Sequence, residues 1–150
     1  MTNVGYNKFA LDARLERDTI DLGERGICRV LRFDDQRYDW LVLVPQRADC
    51  VEFLDLTETD QQQLALDVRW ASTLLLEHCR QQDPQHSTRQ KLNVGALGNV
   101  VAQLHIHVLL RGPDDPAWPG PVWGHSPAQR FTATDAEKEQ QRWRQWLTLE

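Results

Sequence analysis

The chain has 150 residues, of which 41% are hydrophobic and 26% are charged, and this balance excludes an intrinsically disordered protein. Its length suffices for one compact domain with a substantial core and is too short for two ordinary domains. With 17 basic and 22 acidic side chains the formal net charge is -5, which argues against binding to bulk nucleic acid or to an anionic membrane surface.

The first third of the chain predicts a short helix followed by a β-hairpin. Residues 8–17 place their apolar side chains on one face of a short helix or turn, and the glycines of DLGERG then break that pattern. Residues 27–33, ICRVLRF, are predicted to form a strand. The apolar run WLVLVP at 40–45 suits a buried central strand, so the two strands form a hairpin around the polar link DDQRYD.

A long helix is predicted to begin after Thr57. Thr57 can cap it, with Asp60 three residues on, where a capping box usually has glutamate. Apolar residues then recur at helical spacing. They are Leu64, Val68, Trp70, Ala71, Leu74 and Leu75. The helix is expected to end near Cys79 or Arg80, where QQDPQHS follows.

The rest of the chain predicts a second hairpin, an irregular tail and a last helix. KLNVGALGNVVAQLHIHVLLRG, residues 91–112, is predicted to form a strand, a glycine-bearing turn and a second strand. Region 113–150 begins with a tail rich in proline and tryptophan, which is too stiff for a regular element, and continues with a helix at 132–147. Helices and antiparallel strand pairs in this order indicate an α+β fold.

The cysteines and the N-terminal sequence predict a cytoplasmic protein. Cys28, Cys50 and Cys79 form no CxxC pair, so we expect reduced thiols. The start MTNVGYNKF lacks the basic-then-apolar pattern of a signal peptide, and no apolar run is long enough to cross a membrane. We therefore expect no membrane partner.

The stretch VVAQLHIHVLLR, residues 100–111, has polar side chains at alternate positions. Because side chains alternate between the two faces of a strand, Gln103, His105, His107 and Arg111 are expected on one face. Buried polar groups each need a partner. The pattern therefore favours an open cleft over the alternative, which is a set of structural histidines that satisfy their hydrogen bonds within the core.

The segment NVGALGN before this strand predicts a loop that approaches a ligand. Gly95 and Gly98 permit positive φ and a close backbone approach. Asn93 ends the preceding strand, and Asn99 is placed to donate an amide into the same space.

A metal site is a second hypothesis for the two histidines. His105 and His107, two residues apart on a strand, can share one metal ion. A stable zinc site needs three or four ligands, and no third ligand has suitable spacing in this sequence. We therefore expect no metal and no other cofactor.

The joint pattern N-x-G-x-x-G-N-x-x-x-Q-x-H-x-H resembles the signature of the histidine triad (HIT) superfamily, His-φ-His-φ-His-φ-φ with φ apolar, preceded by N-x-G. The resemblance covers about residues 27–112, and the tail DPAWPGPVWG resembles a bacterial HIT-like subgroup with glutamine in the first triad place. It implies a HIT-like fold in one domain, 1–150, with an antiparallel sheet of about five strands on which a long helix and a C-terminal helix pack. It also implies a homodimer.

The resemblance implies a nucleotidyl hydrolase or transferase. His105, in the middle triad place, would attack the α-phosphorus of a nucleotide ester, anhydride or phosphoramidate, and a covalent nucleotidyl-histidine would form and then be released. A neutral imidazole is a competent nucleophile if its other ring nitrogen is held by an acceptor. His107 and Gln103 would help to stabilise the phosphoryl oxygens.

The same resemblance implies a set of substrate-binding residues. Asn93 and Asn99 belong to the glycine loop, and Arg111 suits phosphate oxygens, although a surface ion pair is an equal alternative. In the family an acidic residue after an early strand holds the ribose hydroxyls, and Asp34 or Asp35 is the counterpart here.

Two departures from the family pattern favour an alternative, a nucleotide-binding module with weak or lost catalysis. Gln103 is not histidine and cannot titrate, so the protein would prefer a good leaving group. Trp40 stands where many members have a further histidine, and an indole N–H can only donate. Trp118 and Trp123 in the tail either cap the core or approach the nucleotide site.

Overall fold

The computed structural model describes residues 8–82 and 91–147. In chain order the helices are α1 (Ala13–Asp18), α2 (Glu58–Gln82) and α3 (Ala133–Leu147), with a 3-10 turn at Phe53–Asp55. The strands are β1 (Thr19–Arg25), β2 (Cys28–Phe33), β3 (Asp39–Pro45), β4 (Lys91–Gly95) and β5 (Ile106–Arg111). The predicted α+β class is confirmed.

The described strands form one antiparallel sheet in the order β1-β2-β3-β5-β4. Strands β2 and β3 pair as the predicted first hairpin, and β4 and β5 pair as the second. The run WLVLVP lies in the central strand β3, where it is buried as expected. The prediction of about five strands with two packed helices is therefore confirmed.

The sequence analysis missed strand β1. DLGERG was predicted to be a break, whereas most of it belongs to a seven-residue edge strand paired with β2. The pairing register shifts between Asp21 and Gly23, and Gly23 has φ of +119°. A bulge at a glycine and the polar character of an edge strand both hide the alternation that predicts a strand.

Helix α2 starts as predicted and runs slightly further. The backbone N–H of Asp60 donates to the Thr57 hydroxyl at 3.2 Å, which confirms the cap. The carboxylate of Asp60 pairs with Arg47 at 2.7 Å rather than closing a capping box. The helix continues to Gln82, and the rest of the predicted stop QQDPQHS lies outside the described residues.

The sheet separates two apolar clusters. On one face, α2 and α3 pack through Leu64, Ala71, Leu75 and Trp143 onto residues of β2, β3 and β5. On the other face, the N-terminal segment and the tail cover Leu31, Trp40, Val42 and Leu109. In the described ranges, no helix combines the length and the apolar character that a membrane span requires.

The alternation predicted for VVAQLHIHVLLR holds only in part. From Ile106 onward the segment is strand β5; Ile106 and Val108 face the helices, and Leu109 lies in the cluster on the opposite face. Residues 101–105 form no regular strand. The regular alternation therefore places His107 but not Gln103 or His105.

A pair of glycine substitutions tests how α2 is fixed to the β1–β2 turn. Gly26 has φ of +56°, and a Cβ there would lie 1.8 Å from Oδ1 of Asp67, which holds the turn by accepting from the Ile27 N–H at 3.0 Å. Gly124 has φ of +78° and open space around it. We expect Gly124→Ala to cost about 1 kcal/mol from backbone strain alone. Gly26→Ala should cost roughly 1–3 kcal/mol more, because Asp67 must also move.

Urea unfolding of both variants beside the unmodified protein measures the two costs. Equal losses for the two alanines would contradict the role given to Asp67.

Candidate active site

An open cleft lies on the sheet face opposite α2 and α3. Its volume is about 330 Å³, which falls within the usual range for small-ligand pockets. Its apolar wall is formed by Leu15, Phe33, Trp40, Leu97, Val101, Val122 and Trp123. The polar side chains that line it are Arg14, Asp18, Asp35, Arg37, Asn99, His105, His107 and Ser126.

His105 borders the cleft with one of its ring nitrogens already occupied. The residue is only 7% exposed, and its Nδ1 lies 2.6 Å from the backbone carbonyl oxygen of Gln103. A carbonyl oxygen can only accept, so Nδ1 carries the proton. In the neutral ring, Nε2 then holds the free lone pair that a nucleophilic imidazole requires. The acceptor that the sequence argument required is thus supplied by the backbone.

His107 has the opposite tautomer. The indole Nε1 of Trp40 donates to Nδ1 of His107 at 3.0 Å. Because an indole N–H cannot accept, Nδ1 is bare and the neutral ring carries its proton on Nε2. Burial, and to a lesser degree the neighbouring His105, lowers the pKa of His107 from 6.5 to about 3. His107 therefore remains neutral near pH 7.

The sheet register explains how Trp40 meets His107. In the β3–β5 pair, Trp40 lies opposite Leu109 and Val42 lies opposite His107. Trp40 and His107 are therefore diagonal neighbours on one face of the sheet. The ring centroids of His107 and His105 are 4.9 Å apart with the planes at 75°. The cleft thus holds a bare ring nitrogen and an N–H donor on adjacent imidazoles.

The side chain of Gln103 does not reach the cleft, contrary to the sequence prediction. Its Nε2 donates to the carbonyl of Ala10 at 2.8 Å, and its Oε1 accepts from the backbone N–H of Asp12 at 2.9 Å. The residue precedes the regular part of β5, so strand alternation does not fix its direction. Gln103 contributes its carbonyl to the site and uses its amide to hold the N-terminal segment.

Asn99 lines the cleft as predicted and is exposed. Gly98 has φ of +68°, which turns the loop at this point. Gly95 serves a different purpose from the one predicted. A Cβ there would lie 3.1 Å from the ring of Trp123, so its close approach is to that indole and not to a ligand.

Arg111 and Asn93 lie away from the cleft. Arg111 is 1% exposed; its Nε donates to Asp115 at 2.7 Å, and one Nη donates to Asn93 at 3.0 Å. Its other Nη donates to the carbonyl of Gly120 at 2.8 Å. The predicted phosphate contact is therefore corrected to a buried ion pair that ties the tail to β5, and Asn93 is part of that tie.

Asp34 also binds the tail and not the cleft. Its Oδ2 accepts from Nε of Arg130 at 2.8 Å, and its Oδ1 accepts from the backbone N–H of Phe131 at 2.9 Å. Both partners lie almost 100 residues further along the chain, so local sequence gave no sign of them.

Asp35 lines the cleft, but Arg37 occupies its oxygens. Nε and one Nη of Arg37 donate to the two carboxylate oxygens at 2.9 and 2.7 Å. Burial alone would raise the pKa of Asp35, but the hydrogen bonds and charge of Arg37 outweigh burial and lower it. Asp35 is therefore a buried, ionised residue in the wall of the cleft.

Several cleft residues were not predicted from the sequence. Arg14 donates to the carbonyl of Val100 at 2.7 Å, at the loop that leads to His105. Asp18 lines the cleft with its side chain 38% exposed. Trp123 contacts His107, with ring centroids 5.5 Å apart, and it also packs against the apolar cluster that contains Trp40, so it lines the cleft and covers the core. Arg14 and Asp18 precede the motif, in a part of the sequence where no pattern marks them, whereas Trp123 was one of the two tail tryptophans considered from the sequence.

The metal hypothesis gains no further ligand from the fold. Among residues 8–82 and 91–147, no three side chains of His, Cys, Asp or Glu are grouped so that they could hold a metal ion.

The fold and the paired imidazoles define a histidine triad protein. The model of the HIT domain family matches residues 14–114, so the chain belongs to this family. Members of the family are generally nucleotide-binding hydrolases or transferases. The glutamine-bearing bacterial subgroup remains a prediction.

Three solved structures of bacterial histidine triad proteins are similar to nearly the whole chain. The protein from Sinorhizobium meliloti 1021 is 40% identical, with a TM-score of 0.76, and the match covers 95% of this chain and 97% of that one. The protein from Bradyrhizobium japonicum is 36% identical, with a TM-score of 0.78 and coverage of 93% and 98%. The protein from Marinobacter aquaeolei VT8 is 36% identical, with a TM-score of 0.79 and coverage of 94% and 97%. A search of curated proteins found no match.

The low pKa of His107 predicts a loss of stability in mild acid. An unfolded histidine titrates near 6.5 and folded His107 near 3, so the unfolded state binds the additional proton between these values. Stability therefore falls as the pH drops below 6.5, by about 1.4 kcal/mol per pH unit from this group. His107→Asn can still accept from Trp40 but cannot titrate. We expect the unmodified protein to lose roughly 2 kcal/mol more than His107→Asn between pH 7 and pH 5.

Urea unfolding at the two pH values measures this difference, and the comparison cancels the contribution of His78, whose pKa burial also lowers. Parallel losses in both proteins would show that His107 is not held neutral.

Proposed function

We propose that this protein is a nucleotidyl hydrolase or transferase that cleaves at the α-phosphate of a nucleotide derivative, with His105 as the nucleophile. The observation that carries the proposal is the hydrogen bond from Nδ1 of His105 to the Gln103 carbonyl, in a ring that borders the cleft. This bond leaves the lone pair of Nε2 for attack at phosphorus.

The proposal gives the neighbouring groups roles in stabilising charge. The Nε2–H of His107 donates to a phosphoryl oxygen, and the amide of Asn99 donates from the loop that precedes His105. Because both donors are neutral, they stabilise the negative oxygens by hydrogen bonds and do not add a compensating cation. The apolar wall, with Phe33 and Trp40 stacked at 4.1 Å between centroids, suits a nucleobase.

For the sugar, the cleft offers two carboxylates. Asp35 is one of the two residues that the family resemblance suggests for this role, but its oxygens already hold Arg37. Asp18 is the more exposed of the two, although its oxygens also accept from an arginine, the exposed Arg17, at 2.8 Å. We propose that one of them receives the ribose hydroxyls. Asp34, Asn93 and Arg111 have no part in this proposal because their polar groups bind the tail.

The alternative function is a nucleotide-binding module with weak or lost catalysis. It is favoured by one specific observation, which is that the amide of Gln103 binds Ala10 and Asp12 and leaves the first triad place without a side chain at the cleft.

A trapping experiment separates enzyme from module. The protein is incubated with diadenosine triphosphate, adenosine 5′-phosphoramidate or an aryl ester of adenosine 5′-phosphate, quenched and weighed by mass spectrometry. We expect a mass increase of one adenylyl group that is absent in His105→Ala. The steady-state rate should fall on the order of 10⁴-fold or more in that variant, because the nucleophile is lost.

Leu54→Gln is the matched control, since Leu54 is 84% exposed on the 3-10 turn and does not line the cleft. Substrate binding without adenylylation, unchanged in His105→Ala, would contradict the enzyme and support the module.

We also propose that the 150 residues act as one domain in a cytoplasmic homodimer with a small nucleotide partner. The outer edge of β4 supports an interface, because β4 pairs only with β5 among the described strands and Val94 is 50% exposed on it. Sedimentation equilibrium should give twice the chain mass. A monomer at micromolar concentration would refute the dimer.

A further inference from the structure

The side chains that line the cleft bear directly on one step of the proposed reaction, the departure of the leaving group. When a P–O or P–N bond breaks, the leaving atom takes the electron pair. A basic leaving group such as an amine or an alcohol must receive a proton in that step, whereas an acidic one departs as a stable anion. The groups around His105 decide which kind this site accepts.

The first triad place offers no proton. A glutamine amide does not titrate, and the amide of Gln103 is held by the backbone of Ala10 and Asp12, outside the cleft. The segment that it holds carries α1, and with it the Arg14 side chain. In this chain the residue in the first triad place, Gln103, therefore has a structural role and cannot act as a general acid.

His107 offers a hydrogen bond but no transferable proton. Its Nδ1 is filled by the indole N–H of Trp40, so the single proton of the neutral ring is on Nε2. Transfer of that proton would leave an imidazole anion in a largely buried position, which is strongly disfavoured. A ring protonated at both nitrogens would have to break the Trp40 hydrogen bond, because both partners would then be donors.

The other described groups along the cleft are no better placed as acids. The hydrogen bond from Arg17 lowers the pKa of Asp18, and Arg37 holds the pKa of Asp35 down against burial, so both are ionised near pH 7. The guanidinium groups of arginine do not give up protons in proteins. Asn99 and Ser126 supply only neutral donors.

We propose, on the basis of the function proposed above, that nucleotidyl transfer to His105 occurs without protonation of the leaving group, so that the site accepts only nucleotide derivatives whose leaving group departs as a stable anion. Phosphate and polyphosphate joined through an anhydride meet this condition, since the second pKa of a phosphate is about 6. Alcohols do not, because the anion of an alcohol is nearly as basic as hydroxide, whose conjugate acid water has a pKa of 15.7. Amines do not either, since the anion of an amine is more basic still.

The step balances without an acid. The lone pair of His105 Nε2 forms the N–P bond while the P–O bond to the leaving group breaks, and the electron pair leaves on that oxygen as an anion. Nδ1 of His105 keeps its proton and continues to donate it to the Gln103 carbonyl. Water then forms the new O–P bond, the N–P bond breaks with its electrons returned to Nε2, and one proton goes to solvent.

Among substrates with stable anionic leaving groups, the position of Arg14 favours phosphate anhydrides. Its side chain is 47% exposed, lines the cleft, and donates to the carbonyl of Val100 in the loop before His105. Its Nε also pairs with the carboxylate of Asp12 at 3.3 Å, an exposed contact that an anionic substrate can compete with. Of the two arginines among the described residues that line the cleft, Arg14 is more exposed than Arg37. A polyphosphate anion can be received there by charge, which replaces protonation as the means of stabilising departure.

A leaving-group series tests the proposal. Aryl esters of adenosine 5′-phosphate are chosen so that their phenols span about three pKa units at similar size, with phenol near 10 as the most basic. Adenylylation of His105 is followed in single turnover with protein in excess. We expect the rate to fall on the order of tenfold per unit of phenol pKa. Diadenosine triphosphate should react, and adenosine 5′-phosphoramidate should be at least about 10³-fold slower.

A nearly flat series, or a phosphoramidate that reacts within about tenfold of the anhydride, would overturn the proposal because a proton would then be supplied within the site. In that case adenylylation of His105 would still be seen, and the proposed function would stand. If no substrate adenylylates His105, the proposed function fails first and this inference with it.

Arg14→Gln tests the anhydride assignment separately. Glutamine can still donate to the Val100 carbonyl but has no charge. We expect the rate with diadenosine triphosphate to fall about tenfold more than the rate with the most reactive aryl ester. Equal losses would overturn the assignment of the anhydride leaving group to Arg14. Leu54→Gln is again the control and should leave both rates unchanged.

Discussion

The hydrogen bond between Nδ1 of His105 and the carbonyl of Gln103, at 2.6 Å, is the contact on which the site depends. It is local in sequence, but the carbonyl is held in place by long-range contacts. The Gln103 amide binds the N-terminal segment, and the backbone N–H of Leu104 donates to the carbonyl of Cys50 at 2.9 Å. A loop outside the regular sheet is thereby fixed closely enough to determine which nitrogen of one imidazole is bare.

A second constraint is that charged residues outside the cleft hold the tail in place. Arg111 and Asp115 form a buried pair, and Asp34 binds Arg130 and the backbone of Phe131. Removing one partner of a buried ion pair such as Arg111–Asp115 typically costs about 3–5 kcal/mol, so this pair is well suited to fixing an irregular, proline-rich segment. The tail in turn delivers Trp123 to the wall of the cleft beside His107. These ion pairs therefore influence the site indirectly, because they fix the tail that forms part of the cleft wall.

The sequence predicted what depends on local periodicity. The two hairpins, the capped helix α2 and the position of His107 on the cleft face all follow from alternation or helical spacing. The sequence did not predict features that depend on an irregular strand or on contacts between distant residues. Strand β1 is hidden by its bulge at Gly23, and the side chain of Gln103 turns to a segment more than 90 residues away. A glutamine in a triad place resembles a catalytic residue in sequence, and only the packing of the N-terminal segment shows its other use.

The central claim is that His105 and His107 hold opposite tautomers, and nitrogen NMR of the imidazole rings measures this directly. In protein labelled with ¹⁵N at histidine, at neutral pH, His105 should show a protonated Nδ1 and a bare Nε2, and His107 a bare Nδ1 and a protonated Nε2. Single-residue substitutions assign the two rings. Finding the proton of His105 on Nε2 would contradict the account, because the nitrogen given the attacking role would then have no lone pair.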